Sequence, residues 1–335
     1  MKKKWWFLPF YIKLILAVLF LAAMFLVAMV FGAADISIQD VWFALTSRHS
    51  NDKILIIREL RLPREVAAIF VGSSLAVSGA IMQGVTKNPL ADPGLLGLTS
   101  GANAALAMIL AFYSSANYMV IMLACFLGAS VGAVMVFSVG VNKQVGISSF
   151  RIVLAGAAVS TLLQALAEGI AIYFRISKEV SMWTSGGLIG TNWEQMQILI
   201  PFLLFGMITA IMLSRQLTIL SLNEEVAVGL GQRTVLVKIL LLGITALLAG
   251  ASVALAGNLA FIGLMIPHIV RTLVGKDYRL ILPMSILLGA AFMLMADTLG
   301  RTLNAPYETP VAAIISMVGL PFFILLAKKR GESIL

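Results

Sequence analysis

The stretch that decides the fold runs from Arg61 to Gly101 and reads RLPREVAAIFVGSSLAVSGAIMQGVTKNPLADPGLLGLTSG. Two arginines and a proline open it. The uncharged run that follows, from Val66 to Thr86, is long enough to cross about 30 Å of hydrocarbon. Lys87 and two X-Pro pairs, Asn88-Pro89 and Asp92-Pro93, then interrupt the pattern before the chain becomes apolar again. The stretch therefore predicts two membrane helices joined by an irregular hinge.

The composition extends this pattern to the whole chain of 335 residues. Hydrophobic residues make up 60% of it, charged residues 12%, and the mean hydropathy is +1.01. Because a soluble domain carries about 25% charged residues, this chain is expected to lie largely in lipid. The single cysteine, Cys125, excludes an internal disulfide, and with only two histidines beside it a Cys/His metal site is not expected.

In lipid, unpaired backbone groups have no partner, so each long apolar run is expected to form a helix. We predict an all-α, polytopic membrane protein with a single transmembrane domain spanning residues 1–335. The first apolar run is longer than the core of a signal peptide and is interpreted as a retained helix. The ten predicted helices lie near 14–34, 65–85, 94–112, 119–141, 151–174, 196–214, 236–256, 258–271, 280–299 and 309–327.

The positions of lysine and arginine predict the orientation of these helices. If the N-terminus is inside, 16 of the 24 basic residues fall on the inner side and 8 on the outer side. We therefore expect both termini in the cytoplasm. Arg61, Arg64 and Arg301 then lie outside, and the hinge at Asn88 lies inside.

Small residues at Ala68, Gly72, Ala76 and Ala80 recur every four positions and predict a close helix–helix contact. His268 follows Pro267 near the end of the eighth helix and is interpreted as structural.

Three charged residues near the predicted outer ends of helices are ambiguous. Asp297 and Arg301 can form a local ion pair across one turn, or Arg301 can face a partner outside. Glu168 either reaches the membrane interface or faces a transport pathway.

The longest inner loop, Arg215–Lys238, predicts a helix of about two turns outside the membrane. Ser221 and Glu224 fit a capping box, Asn223 is an alternative cap, and Gly229 and Gly231 provide helix stops. The apolar side of this predicted helix is formed by Leu222, Val226 and Leu230. It either rests on lipid or docks into a soluble partner.

No phosphate-binding loop or catalytic side-chain set is found in the sequence. Uphill transport by this chain would therefore need an ion gradient or a partner. The central parts of the predicted helices carry almost no charge, which disfavours an ion-coupled carrier and favours an ATPase partner.

Several motifs, in this order and spacing, resemble the FecCD-type permeases of ABC importers for ferric siderophores and vitamin B12. The resemblance covers nearly the whole chain. The matching segments are LRLPR (Leu60–Arg64), KNPLADPGLLG (Lys87–Gly97), RIVLAG (Arg151–Gly156), AFIGLMIPHIVR (Ala260–Arg271), ADTLGR (Ala296–Arg301) and VGLPFFILL (Val318–Leu326).

The resemblance implies ten helices per subunit and a pair of permease subunits, identical or paralogous, with the transport path on their twofold axis. It implies that Arg61, Arg64 and Arg301 dock an extracytoplasmic substrate-binding protein. The implied gate and pathway residues are Asn88, Leu90, Ser148, Ser149, Trp183, Ser185 and Gly186, although the tryptophan can also be an interface anchor. Glu168, a pathway candidate from its position in the predicted fifth helix, is grouped with them. The implied coupling helix for the ATPase comprises Leu222, Asn223, Glu224, Glu225, Val226, Ala227, Gly229, Leu230 and Gly231.

The sequence thus predicts a non-catalytic permease subunit of a bacterial ABC importer in the cytoplasmic membrane, with a ferric siderophore as cargo. Vitamin B12 and haem are the alternative cargoes, and an ion-coupled secondary transporter is the alternative of another class. We expect no cofactor or metal bound by this chain, and ATP with Mg²⁺ on the partner ATPase.

Overall fold

A computed structural model describes residues 8–32, 36–47, 51–113, 115–142, 146–147, 149–222, 224–305 and 307–331. Nearly all of these residues are helical. The helices are α1 (Phe10–Val30), α2 (Ile38–Thr46), α3 (Asp52–Ile56), α4 (Leu62–Thr86), α5 (Leu98–Phe112), α6 (Tyr118–Gly140), α7 (Ser149–Tyr173), α8 (Ser177–Thr184), α9 (Trp193–Met212), α10 (Ser214–Leu222), α11 (Glu224–Gly229), α12 (Thr234–Ala256), α13 (Ile262–Val274), α14 (Tyr278–Thr302) and α15 (Val311–Gly331).

Short elements of other types join some of these helices. A π-helical turn, Ile57–Arg61, links α3 to α4, and a 3₁₀ turn, Pro93–Leu96, precedes α5. The strands β1 (Val141–Asn142) and β2 (Gly146–Ile147) pair antiparallel between α6 and α7.

Seven of the described helical segments are long and apolar enough to cross a membrane, and three shorter helices, α5, α13 and α15, are apolar. Together they coincide with the ten predicted stretches, and the all-α polytopic fold is confirmed. That all ten cross the membrane stays a prediction.

Helix α4 is the centre of the molecule. It contacts α14, α12, α13 and α9, and 83% of its most apolar window is buried, against 17% for α1. Glycines allow the close contacts, because a Cβ at Gly72 would lie 2.3 Å from the carbonyl oxygen of Gly289 on α14. Ala68, Ala76 and Ala80 are fully buried, so the packing role predicted for this four-residue repeat is confirmed.

The largest error in the predicted bounds is the start of the second helix, because helical structure begins at Asp52 and not at 65. A proline in the interior of an α-helix removes a hydrogen bond and usually breaks or kinks the helix. The π-helical turn Ile57–Arg61 instead places Pro63 in the first turn of α4, where a missing N–H is tolerated.

Two other helices begin about four residues later than predicted. The 94–112 prediction is split at Gly97, whose φ of 71° ends the 3₁₀ turn before α5. The 258–271 prediction begins in a non-helical link, because Gly257 and Phe261 have φ angles of 70° and 68°. The remaining helix ends agree with the prediction within four residues.

Helix α2 was not predicted. Its N-cap, Ser37, accepts a hydrogen bond from the backbone of Asp40, whose carboxylate accepts one in return. Helices α2 and α3 close over a separate hydrophobic cluster at the end of α1 that includes Met29, Val41 and Ile57. The Ser-x-x-Asp spacing in the sequence was a usable signal for this element.

Candidate functional site

A groove of about 810 Å³ opens between α5, α7 and α8. Ten of its 17 lining residues are polar, in a chain that is 60% hydrophobic. Polar side chains within membrane helices generally face a cavity or a helix bundle and not lipid. The lining residues are Gly94, Thr99, Ser100, Asn103, Gly156, Ala157, Ser160, Gln164, Ala167, Glu168, Ala171, Ile172, Ser177, Val180, Ser181, Thr184 and Asn258.

One face of α7 forms the longest wall of the groove. Gly156, Ser160, Gln164 and Glu168 lie four residues apart, so they line up along the helix. The Nε2 of Gln164 donates a hydrogen bond to Oε1 of Glu168 over 3.0 Å. The structure therefore places Glu168 in the groove, and the stripe that leads to it was a sequence signal that we did not use.

The opposite wall comes from the start of α5, where Thr99, Ser100 and Asn103 face the groove. Helix α5 is held against α6 by glycines, because a Cβ at Gly101 would lie 2.2 Å from the carbonyl oxygen of Gly128. These polar residues were missed, because they lie in the first turns of a run that reads as one apolar span.

The third wall is α8. Ser177, Ser181 and Thr184 line the groove. Trp183 instead packs on Tyr118 with ring centroids 4.6 Å apart. Trp183 and Gly186 line a smaller cavity of about 90 Å³ beside Tyr118 and not the groove, and Ser185 caps the end of α8. The pathway role of these three residues stays a prediction.

The turn after α8 is tied to the end of α12. The N–H of Gly187 donates to the carbonyl of Ala256 over 2.9 Å, and a Cβ at Gly186, whose φ is 72°, would lie 3.1 Å from the carbonyl oxygen of Asn258. Ser185 Oγ donates to the carbonyl of Ser181 over 2.7 Å. Ser185 and Gly186 therefore hold the wall in place.

The hinge of the opening stretch lies between α4 and the 3₁₀ turn. Asn88 Oδ1 accepts from the N–H of Leu90 over 3.0 Å, and Asp92 Oδ1 accepts from the N–H of Gly94 over 2.8 Å. These two turns satisfy backbone donors where the prolines interrupt the helix and carry the chain to Gly94 in the groove. The gating role of Asn88 and Leu90 stays a prediction.

Two predicted gate residues cannot be placed in the same detail. Ser148 lies outside the described residues. Ser149 is the first residue of α7, and its side chain is likewise outside the description.

At the other end of α4, arginines and carboxylates from α4, α14 and the following loop form a charged cluster. Arg64 contacts Asp297 over 2.9 Å and Glu308 over 2.8 Å. Arg301 contacts Glu65 over 2.5 Å and Asp297 over 3.1 Å. The local pair predicted between Asp297 and Arg301 is confirmed, and it is part of a larger network.

Arg61 completes this cluster by donating from Nη1 to the carbonyls of Met29 and Val30 over 2.7 and 3.0 Å. Arg61 and Arg301 are each only 6% exposed. Both guanidinium groups are therefore largely buried, because Glu65, Asp297 and the end of α1 bind them within the chain. Their docking role itself stays a prediction.

The inner loop forms two helices, α10 and α11, where one was predicted. Ser221 lies inside α10 and donates to the carbonyl of Thr218, so it is not the predicted cap. Asn223 lies outside the described residues. The side chain of Glu224 is also outside the description, although its backbone begins α11.

The end of α11 agrees with the prediction at Gly231 and not at Gly229, which is still helical. Gly231 has a φ of 77°, and the N–H of Gln232 donates to the carbonyl of Ala227 over 3.0 Å. Leu222, Val226 and Leu230 are exposed, whereas Ala227 is fully buried. The apolar side of α11 is thus open, and Ala227 serves packing.

The chain matches the FecCD transport family over residues 18–329. It is 43% identical over 304 residues to the iron(3+)-hydroxamate import system permease protein FhuB of Bacillus subtilis (strain 168), covering 90% of this chain and 79% of that protein. It is 36% identical over 304 residues to the iron-uptake system permease protein FeuB of the same organism, covering 90% of this chain and 91% of that one.

A solved structure of a metal-chelate type ABC transporter in an inward-facing conformation has a similar fold. The TM-score is 0.84 at 26% sequence identity, and the match covers 96% of this chain and all of that one. The helical architecture, the groove and these matches lead to one conclusion: the chain belongs to the FecCD transport family.

Proposed function

We propose that the chain is the membrane permease subunit of a bacterial ABC importer and that its cargo is a ferric siderophore. The observation that carries this proposal is the polar groove between α5, α7 and α8 in a protein with seven helices long and apolar enough to cross a membrane among its described residues. Its volume of about 810 Å³ lies within the roughly 300–1,000 Å³ range of sites for drug-sized ligands. The names of the relatives, which import iron complexes, support this cargo class.

Energy would come from a partner ATPase that holds ATP and Mg²⁺, because this sequence contains no phosphate-binding loop. The surface we assign to that partner is the exposed apolar side of α11 with Leu222. We expect a second permease subunit to close the groove from its open side.

An extracytoplasmic binding protein would dock at the outer ends of α4 and α14. Arg61 and Arg301 are held inside the chain there, so the accessible edge is the ion pair of Arg64 with Glu308. An acidic group of the partner would compete with Glu308 for Arg64.

Reconstitution tests the proposal. The chain, its second permease subunit, its ATPase and its binding protein are reconstituted with liposomes, and uptake of radioactive iron as a ferric siderophore is measured. We expect uptake that needs ATP and every one of these components. Uptake driven by an ion gradient without the ATPase would instead identify a secondary transporter.

A matched pair of variants tests the groove itself. Ser160→Trp fills the groove and is expected to reduce uptake at least about tenfold, since the side chain occupies the cargo's space. Ser138→Trp makes the same change on the exposed face of α6, outside the groove, and should leave uptake near wild type. Equal uptake by both variants would exclude the groove as the path.

A further inference from the structure

Among the residues that the structure describes, one ionisable side chain lines the groove. Of its 17 lining residues, Glu168 alone carries a charge, and the other polar residues are hydroxyls and amides. Its Oε1 accepts a hydrogen bond from Gln164 over 3.0 Å. Among the residues that the structure describes, no cation pairs with Glu168, and the nearest basic residues along the chain, Arg175 and Lys178, do not line the groove.

A carboxylate in such a groove gives the path a negative potential. The walls are helices with few charges, and low-dielectric walls focus the field of a charge into the cleft that they border. Coulomb's law at a distance of about 8 Å and an effective dielectric constant near 20 gives a preference on the order of tenfold or more per unit of cargo charge. A neutral cargo has no net Coulomb interaction with this carboxylate, and an anionic cargo is repelled by it.

Ferric siderophores differ in net charge for a simple chemical reason. Each hydroxamate loses one proton when it binds iron, so three of them neutralise Fe³⁺, and a pendant ammonium makes the complex cationic. Each catecholate loses two protons, so three of them give a complex with three negative charges. The sign of the potential in the path therefore separates these two classes.

We propose that Glu168 is a charge-specificity residue, which lets neutral and cationic ferric hydroxamates pass and disfavours multiply anionic ferric catecholates. This inference rests on the proposed function. It adds the class of siderophore and the residue that selects it.

A cargo series that differs only in charge provides the test. One linear ferric trihydroxamate is used in three forms. With a free terminal amine its net charge is about +1, with that amine acetylated it is about 0, and with that amine succinylated it is about −1. Uptake of each is measured in the reconstituted complex. The cation and the anion differ by two units of charge, so we expect the wild type to prefer the cation to the anion by roughly a hundredfold or more.

The Glu168→Gln variant is expected to reduce this cation-to-anion ratio to near one, because the amide keeps the shape and the contact with Gln164 but not the charge. Glu168→Asp keeps the charge and should keep the preference. Glu179→Gln removes a carboxylate on α8 that does not line the groove, and should also keep it. Since every variant works with the same binding protein, that protein's own preference cancels in the comparison.

The outcomes separate the two proposals. If Glu168→Gln retains the wild-type ratio of cation to anion uptake while hydroxamate uptake continues, Glu168 is not the charge-specificity residue and the proposed function stands. If the wild type imports a ferric catecholate but none of the three hydroxamates, the charge selection by Glu168 is wrong and the proposed function stands. If the components assemble but import no ferric siderophore of either class, both proposals fail. Yield of the assembled complex and ATPase rate show that each variant is folded.

Discussion

At the scale of single residues, Asp297 bridges two arginines. It contacts Arg64 over 2.9 Å and Arg301 over 3.1 Å, and its side chain is fully buried. Removing one partner of a buried ion pair leaves an uncompensated charge and typically costs about 3–5 kcal/mol. The buried cluster therefore depends on this carboxylate.

We expect Asp297→Asn to destabilise the protein by an amount of that order, measured by thermal unfolding in detergent. Asp277→Asn is the control on the same helix. Asp277 pairs with an exposed Arg279 and caps α14, and asparagine caps a helix as well as aspartate. Equal melting temperatures for the two variants would contradict the role assigned to Asp297.

Glu308 gives the cluster a pH dependence. Burial raises the pKa of Glu308, but hydrogen bonds and charge from Arg64 outweigh it, and the pKa lies below its usual value near 4.5. A group whose pKa is lowered on folding stabilises the folded state above its unfolded pKa, and that contribution is lost as the pH falls through the folded value.

Acidification below about pH 4.5 should thus remove the stabilisation due to Glu308. We expect the melting temperature of wild type to fall more between about pH 6 and about pH 3.5, a range that spans the titration of a glutamate, than the melting temperature of Glu308→Gln. An identical fall in both proteins would show that the Arg64 contact contributes nothing.

At the scale of elements, the contact between α4 and α14 depends on the absence of side chains. A Cβ at Gly289 would lie 2.4 Å from the carbonyl oxygen of Gly72 and 2.6 Å from the Cβ of Ala76. No rotamer relieves a clash with backbone, so the two helices would have to separate.

Gly289→Ala is therefore expected to lower the free energy of unfolding by about 1–3 kcal/mol, the usual cost of overpacking. In Gly243→Ala the new methyl group meets no atom within 4 Å on the exposed face of α12. Alanine is the better helix former, so this control should be neutral or slightly more stable. Thermal unfolding in detergent distinguishes the two, and equal losses would contradict the contact.

Helix α11 presents its apolar side outward, with Val226 about half exposed. If this side contacts the ATPase, Val226→Arg should reduce transport per ATP hydrolysed while the permease still folds. Val228→Arg changes the same residue type on another side of α11 and is the matched control. The measurement is the uptake rate divided by the ATPase rate for each variant. A normal ratio in Val226→Arg would exclude this side of α11 as the contact surface for the ATPase.

At the scale of the whole molecule, the distribution of lysine and arginine predicts the orientation in the membrane, which labelling can test. The native Cys125 is only 1% exposed, so it gives little background. Cysteines are introduced at Tyr307, which follows α14, and at Lys276, which precedes it; both are exposed.

With the N-terminus inside, a membrane-impermeant maleimide should label the cysteine of Tyr307→Cys in right-side-out vesicles. The cysteine of Lys276→Cys should be labelled in inside-out vesicles only. The reverse pattern would overturn the orientation inferred from the basic residues.

The sequence by itself determined the fold class, the approximate positions of the apolar helices and the hinge after Thr86. It could do so because an apolar run in lipid must satisfy its own backbone, and this constraint acts locally along the chain. Close packing by the repeat from Ala68 to Ala80 was predictable for the same local reason, since it depends on spacing within one helix.

Only the tertiary structure decided which faces meet. Glu65 and Arg301 lie 236 positions apart, so no local pattern could show that the predicted docking arginine is bound inside the chain. The groove likewise exists only because α5, α7 and α8 converge, which aligns the Ser160–Glu168 stripe with polar residues from distant segments and turns Trp183 away. Hydropathy is a property of each segment, whereas a site is a set of distances between segments, and those distances arise only when the helices pack.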